Sequence, residues 1–400
     1  MRHIAPCGHT CCADDTARGA ASRLLARERH EWREARVAVS EWLILPGTLL
    51  VLLALEDIFY TVLFQGSNDG LVGIAIMRGG WWIMTHVAAI AGQTHRRVLT
   101  YSGPIILVAH VSAWVFLFAF GFAFIDWPAL GSAIQNSQGS TSHSFATALY
   151  FSAYAFTTLG TGDIVATTGP YRLVMVIEAA IGFATLTSGF TYLLTITSAI
   201  VRRNTFASTL YTVMGRSEDA AELIVRLGAG GQFNGASTTL TSIVSGMLDV
   251  LEAQRGYPML RYFYYLRTFE TLPHLLLAPM DTAALIRTTL HPDHYRGLIE
   301  SAAVAGLWEG GQHELDTLRS SFLPAYSRES FAASPDDERV WRERYYKVLK
   351  RLRETGIETI PDPETGADRY VEMRRDIHPR ILALTTYMRY PPMDEGVANA

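Results

Sequence analysis

Three stretches of the chain are almost continuously apolar: Trp42 to Phe64, Tyr101 to Ile125 and Tyr171 to Ile200. Each reaches or exceeds the roughly 20 residues that a helix needs to cross a bilayer. Between the last two the pattern changes three times. Pro128 to Ser142 is polar, with Gly, Ser, Asn and Gln, and predicts an exposed loop. Ser144 to Thr157 is apolar again but too short to span, and Gly160 to Gly169 is punctuated by glycine. The order is a crossing, a short re-entrant helix, an irregular segment and a crossing. Irregular backbone at membrane depth survives only where protein or a water-filled pore satisfies its polar groups, so this order already points to a pore loop.

The N-terminal half of the membrane region is less regular. Glu56 and Asp57 lie inside the first apolar run, where they are expected to face protein or water. Leu71 to Gly92 admits two readings. Arg78, Gly79, Gly80 and His86 interrupt it, so it is either a further crossing or a helix in the interface anchored by Trp81 and Trp82. Charge then orients the chain. No Lys or Arg occurs from Val98 to Tyr171, whereas Arg96/Arg97 and Arg202/Arg203 flank that stretch. The positive-inside rule places both pairs in the cytoplasm and lets the pore loop enter from outside. Arg23, Arg27, Arg29, Arg33 and Arg36 precede Trp42, which predicts an internal N-terminus and hence four crossings. The first strongly apolar run comes too late for a cleaved signal peptide.

The candidate chemistry lies at Thr158-Leu159-Gly160-Thr161-Gly162-Asp163. A cation filter needs a stack of backbone carbonyls turned inward to replace the ion's water shell. Alternate residues must then take dihedrals hostile to a β-carbon, which explains glycine at 160 and 162. The Thr158 hydroxyl adds an innermost oxygen, and Asp163 stands at the rim to attract cations. One such segment per chain means that four chains are needed to close a ring. With Phe156 and Thr157 before it, the segment resembles the potassium-channel filter, commonly Thr-Val-Gly-Tyr-Gly-Asp. The resemblance runs from Tyr101 to Ile200 and is closest to simple bacterial channels with two helices around a pore loop. It implies K+ held at Thr158, Leu159, Gly160 and Thr161, a homotetramer and a bacterial plasma membrane. It further implies an outer helix over 101–125, a pore helix over 144–157 and an inner helix over 171–200.

Two departures from that pattern matter: Leu159 for the usual valine is a mild change, since its carbonyl does the work, and the other bears on selectivity. Thr161 stands where the family usually has an aromatic that packs against the pore helix and fixes the filter's width. Tyr150 and Phe151 occupy the matching pore-helix positions. The expectation is a potassium-selective, or moderately selective, cation channel. Glu178, on the inner helix near filter depth, either supports the filter backbone from behind or is a satisfied core acid. Gly182 is placed where related channels bend to open, and close helix packing explains it equally well. No helix carries arginine at every third position, so no voltage sensor is visible.

Composition adds limits. With 34 basic and 38 acidic residues and a net charge of −4, the chain lacks the basic excess of a nucleic-acid binder. The partners expected are copies of itself and the lipid bilayer. Cys7, Cys11 and Cys12 cluster with His3 and His9 in the first dozen residues, a weak metal signal on an N-terminal tail spanning 1–41. Residues 42–100 hold the first crossing and the ambiguous helix. Residues 201–400 carry balanced charge and helical periodicity, notably from Leu240 to Leu276 and from Trp341 to Thr355. Phe331 to Glu338 and Pro361 to Ala367 are expected to be loops. Gly228-Ala229-Gly230-Gly231 lacks the spacing of a dinucleotide fingerprint, and His291 with His294 is a weak metal pair. No catalytic constellation and no cofactor are expected. The fold class predicted is an all-α membrane protein, a pore-loop channel with a mainly helical cytosolic domain. The competing readings are a membrane-tethered receptor and a transporter with a broken helix as its solute site.

Overall fold

A computed structural model describes residues 42–64, 70–322 and 331–391, so the cysteine cluster lies outside the described residues. The protein is an all-α membrane protein. Among the described residues, four helical segments are long and apolar enough to cross a membrane: Ile44–Leu63, Leu71–Ile90, Ser102–Ala129 and Gly169–Val213. The chain divides into two compact units. One takes Met1–Ile58 and Ser112–Ser188, the other Phe59–Val111 and Gly189–Ala400.

In the first unit, α1 (Ile44–Ile58) packs on α4 (Ser102–Asp126) through two glycines. A β-carbon on Gly47 would lie 2.6 Å from the Gly121 carbonyl oxygen, and one on Gly121 would lie 2.9 Å from Val51 Cγ2. Small residues let the two backbones approach, which is how membrane helices gain dispersion contacts without a hydrophobic driving force. Further along, the buried Asp57 accepts a 2.7 Å hydrogen bond from Trp114 Nε1. The carboxylate inside the first apolar run therefore faces protein. Val51, Ala54, Phe118, Phe122 and Phe156 pack together on the same side.

The short helix α5 (Phe145–Phe156) starts at Ser144, whose Oγ accepts from the Thr147 amide at 3.2 Å. Two short strands flank the irregular segment. β1 (Ile134–Asn136) pairs antiparallel with β2 (Ile164–Ala166) in the register Ile134↔Ala166, Gln135↔Val165, Asn136↔Ile164. The polar loop thus contributes a strand that no apolar alternation announced. The last membrane helix, α6, runs unbroken from Gly169 to Val213. It continues past Ile200 because Phe206, Ala207 and Leu210 keep one apolar face, buried in the core of the second unit. Arg202 and Arg203 end the apolar run but not the helix.

The second unit is helical: α7 (Ala220–Leu227), α8 (Ala236–Gly256), α9 (Leu272–Thr289), α10 (Arg296–Ile299), α11 (Ala302–Phe322), α12 (Pro335–Glu354) and α13 (Pro363–Tyr387). The central α9 is buried on nearly every side and packs against α8, α11 and α13. α2 (Leu71–Ile90) and α3 (His95–Thr100) belong to this unit too, with Ala88 and Leu99 in its core. The helical periodicity from Leu240 to Leu276 spans α8, which ends at Gly256, a 3-10 turn at Pro258–Tyr262 and the start of α9. Two sequence expectations change here. The supposed loops at 331–338 and 361–367 contain helix starts. Ser334 and Asp337 form a capping box for α12, Asp362 caps α13, and Pro335 and Pro363 open the two helices. Proline tolerates a first helical turn, whose N–H lacks a partner anyway.

Candidate functional site

The segment Thr158 to Asp163 hangs directly from the C-terminal end of α5. The Thr158 amide donates to the Ala155 carbonyl at 3.0 Å, and the Leu159 amide to the Tyr154 carbonyl at 2.9 Å. From there φ alternates in sign. Thr158 has φ 59°, Gly160 φ 58° and Gly162 φ 75°, while Leu159 and Thr161 are not in the left-handed region. This alternation is the pattern that lets successive peptide groups turn the same way, the arrangement that makes a concave row of like dipoles. In one chain the segment is exposed, with Leu159 at 69 %. Backbone bared in this way at membrane depth requires water or further chains around it.

Side chains brace the segment from its outer end. Tyr150 donates to Thr161 Oγ1 at 3.3 Å, and Thr161 Oγ1 donates to Asp163 Oδ1 at 2.5 Å. The Asp163 carbonyl accepts from the Ser137 amide at 2.7 Å, which ties the filter exit to the loop carrying β1. Phe151, the other pore-helix aromatic singled out in the sequence, turns into the cluster of Ile134, Ala148, Tyr154 and Ile164. Tyr154 was not singled out. Its hydroxyl donates to the Ile164 carbonyl and its ring lies 5.3 Å from Phe151. The available signal was its position four residues after Tyr150, on the same helical face.

Glu178 is fully buried, and its Oε1 lies 2.6 Å from Ser152 Oγ, which is also 2.9 Å from the Ala119 carbonyl oxygen. Its hydrogen bond therefore goes to α5 and not to the backbone of Thr158 to Asp163. Asp126, also fully buried, interacts electrostatically with it. A second buried carboxylate behind the pore helix was missed because Asp126 closes an apolar run, where an interfacial acid is unremarkable.

Gly182 supplies a close approach. A β-carbon there would lie 1.8 Å from the Phe156 carbonyl oxygen, so α6 crosses the end of the pore helix with backbone nearly touching backbone. The obstacle is backbone, which has no rotamer to yield. Gly182→Ala is expected to destabilise the pore unit by about 1–3 kcal/mol, as overpacking does. A thermal melt of the detergent-solubilised protein checks this, and an unchanged midpoint would contradict the contact.

Among the described residues no group of three or more His, Cys, Asp or Glu side chains is arranged to hold a metal ion. His291 and His294 stack at 4.4 Å, and His294 pairs with Glu358.

Residues 105–199 match the ion-channel family. The match covers α4 from Ile105, α5, residues 158–163 and α6 as far as Ala199. Over 324 residues the chain is 24 % identical to the "Uncharacterized membrane protein YdjJ" of Bacillus subtilis (strain 168), covering 81 % of this chain and 91 % of that protein. The likeness to that membrane protein thus extends well beyond the ion-channel domain. No solved structure matches.

Proposed function

We propose that four copies of this chain form a potassium-selective, or moderately selective, cation channel, with the filter at Thr158 to Gly162. The alternating left-handed backbone at Thr158, Gly160 and Gly162, directly after a capped helix too short to span, carries this reading. Around a four-fold axis these segments supply rings of carbonyl oxygens for a dehydrated K+ ion. The carbonyl end of α5 abuts Thr158, so its dipole favours a cation near the inner filter. At the rim, the hydrogen bond from Thr161 holds the Asp163 carboxyl below the usual carboxylate range. The rim charge therefore persists at neutral pH and attracts cations.

Thr161 decides how selective the ring is. Its hydroxyl is already engaged by Tyr150 and Asp163, a lighter brace than a packed aromatic ring. Thr161→Tyr is expected to keep conduction and raise the potassium/sodium permeability ratio. A ratio that falls, or does not change, would contradict a width-controlled filter. The assembly itself is tested by the mass of the solubilised protein, expected at four times the 44.3 kDa chain. It is tested also by cation, and not chloride, flux into liposomes.

A further inference from the structure

We propose that α2 does not cross the membrane but lies flat in the cytoplasmic headgroup layer, with one face on phospholipid. The choice of leaflet rests on the orientation in the proposed function, where Arg96/Arg97 are inside and the pore loop enters from outside.

The packing of α1 on α4 fixes the parity of the crossings. α4 is a single uninterrupted helix that starts at Ser102, beside the arginine pair, and ends at Asp126 on the pore-loop side. Gly47 of α1 meets Gly121, Phe124 and Ile125, whereas Asp57 meets Trp114. Rising numbers on α1 meet falling numbers on α4, so the two helices are antiparallel. The Leu63 end of the first span therefore lies on the same side as Ser102. An even number of crossings must separate them. α2 is the one helix of membrane length in that interval, and residues 65–69 are too few to hold another. A single crossing by α2 is excluded.

Contacts within the second unit point the same way. A β-carbon on Gly80, in the middle of α2, would lie 2.7 Å from Ile106, in the first turns of α4. In an antiparallel hairpin, Gly80 would stand about 16 Å of helical rise from the connection at Ala91 and face a residue much deeper in α4. The Trp81 ring lies 5.8 Å from that of Tyr262, a residue of the C-terminal part of the chain. α2 thus crosses over the foot of α4 instead of running alongside it.

The faces of the helix agree. Gly73, Met77, Met84 and Ala88 are buried, and Ala88 reaches the helical core. The other side exposes Leu71, Trp82, Ile83 and Ile90, with Arg78 among them. An apolar face with Trp and a basic residue suits the boundary of headgroups and acyl chains. Arg78 and the following Arg97 favour anionic lipid. The segment that follows α2 is coupled inward. Ser102 Oγ lies 2.7 Å from the Tyr262 carbonyl oxygen, Arg96 donates to the Leu266 carbonyl at 2.9 Å, and the Arg203 guanidinium on α6 stacks 4.0 Å over Tyr265. One short segment, 262–266, thereby joins the lipid-facing helix to the foot of the inner helix.

This topology places the Ile44 end of α1 outside, whereas the arginines before Trp42 predict an internal N-terminus. The experiment uses the full chain in phosphatidylcholine/phosphatidylglycerol liposomes, with Cys7, Cys11 and Cys12 replaced by Ser. Nitroxides are attached singly at Leu71→Cys, Arg78→Cys, Trp82→Cys and Ile90→Cys. All four labels should report one shallow depth and collide with both oxygen and an aqueous nickel chelate. Depth peaking in the middle of α2 would overturn the proposal. Exclusion of both colliders with spin–spin broadening would also overturn it, because a second copy would then cover the face. In intact cells, Leu71→Cys and Ile90→Cys should react with an impermeant thiol reagent only after permeabilisation, and Ser140→Cys before it. Labelling of one α2 end from outside would mean a crossing. Failure of Ser140→Cys to label from outside would instead overturn the orientation, and with it the assigned leaflet. The wild-type cysteines should label from outside.

Discussion

Gly160→Ala is expected to abolish conduction. A β-carbon at this position meets nothing within 4 Å in the chain, so no clash within one subunit forbids it. The cost lies in the backbone, because Gly160 sits at φ 58°. An L-residue there loses about 1–2 kcal/mol, and a ring of four repeats the strain around one axis, about 4–8 kcal/mol in all. Relief requires the peptide to turn, and turning removes a carbonyl ring from the ion path. Gly139 provides the control. It has φ 84° and open space around it, but lies in the polar outer loop. Gly139→Ala carries similar strain and should leave conduction largely intact. Single-channel recording of both variants separates loss of the filter from general destabilisation. Wild-type current through Gly160→Ala would remove this segment as the filter.

Asp281→Ala is expected to unfold or severely loosen the helical C-terminal part, at a cost of about 3–5 kcal/mol, as removal of one partner from a buried pair does. Asp281 sits on α9 at 3 % exposure. Its Oδ2 lies 2.7 Å from Arg344 Nη1, its Oδ1 lies 3.6 Å from Arg374 Nη1, and Tyr370 donates to Oδ1 at 2.8 Å. Arg344 reaches on to Asp219, the cap of α7, at 2.7 Å. Truncation takes the shared carboxylate from the half-buried Arg344, which keeps Asp219, and from the buried Arg374. The same network fixes a pH dependence. Burial pushes the Asp281 carboxyl up, but Arg344 and Arg374 more than offset it and hold it below its ordinary value. A depressed folded pKa gives stability that is present above the unfolded value of about 3.9 and lost as pH falls through the folded value. Acid should therefore destabilise the wild type below about pH 4 through this group, and Asp281→Ala should lack that component. Thermal melts against pH check both. The filter lies far upstream in sequence, so the permeability ratio of any surviving Asp281→Ala channels should be that of wild type.

Much of the pore unit was legible because its signals are local. A short apolar run between two long ones, then glycine at alternate positions, needs no tertiary knowledge to interpret. What escaped depended on contacts distant in sequence. Pairing of Ile134–Asn136 with Ile164–Ala166 leaves no trace in a polar loop of three-residue strands. Phe151 and Tyr154 were hard to rank because both are pore-helix aromatics, and only the fold shows which reaches the filter's exit. Thr158 was read for its hydroxyl, and its left-handed backbone was not anticipated, since threonine is rarely found there. Pro335 and Pro363 were read as loop residues although Ser334 and Asp362 before them are strong helix caps.

The measurement closest to the central claim is the reversal potential of the purified wild-type protein in liposomes, under opposed potassium and sodium gradients with chloride symmetric. The account predicts step-like single-channel currents whose reversal potential shifts from zero toward the potassium equilibrium value, fully for a tightly held filter and partly for one braced by Thr161. Absence of such currents, or a reversal potential that follows chloride when a chloride gradient is imposed, would contradict a cation filter at Thr158 to Gly162.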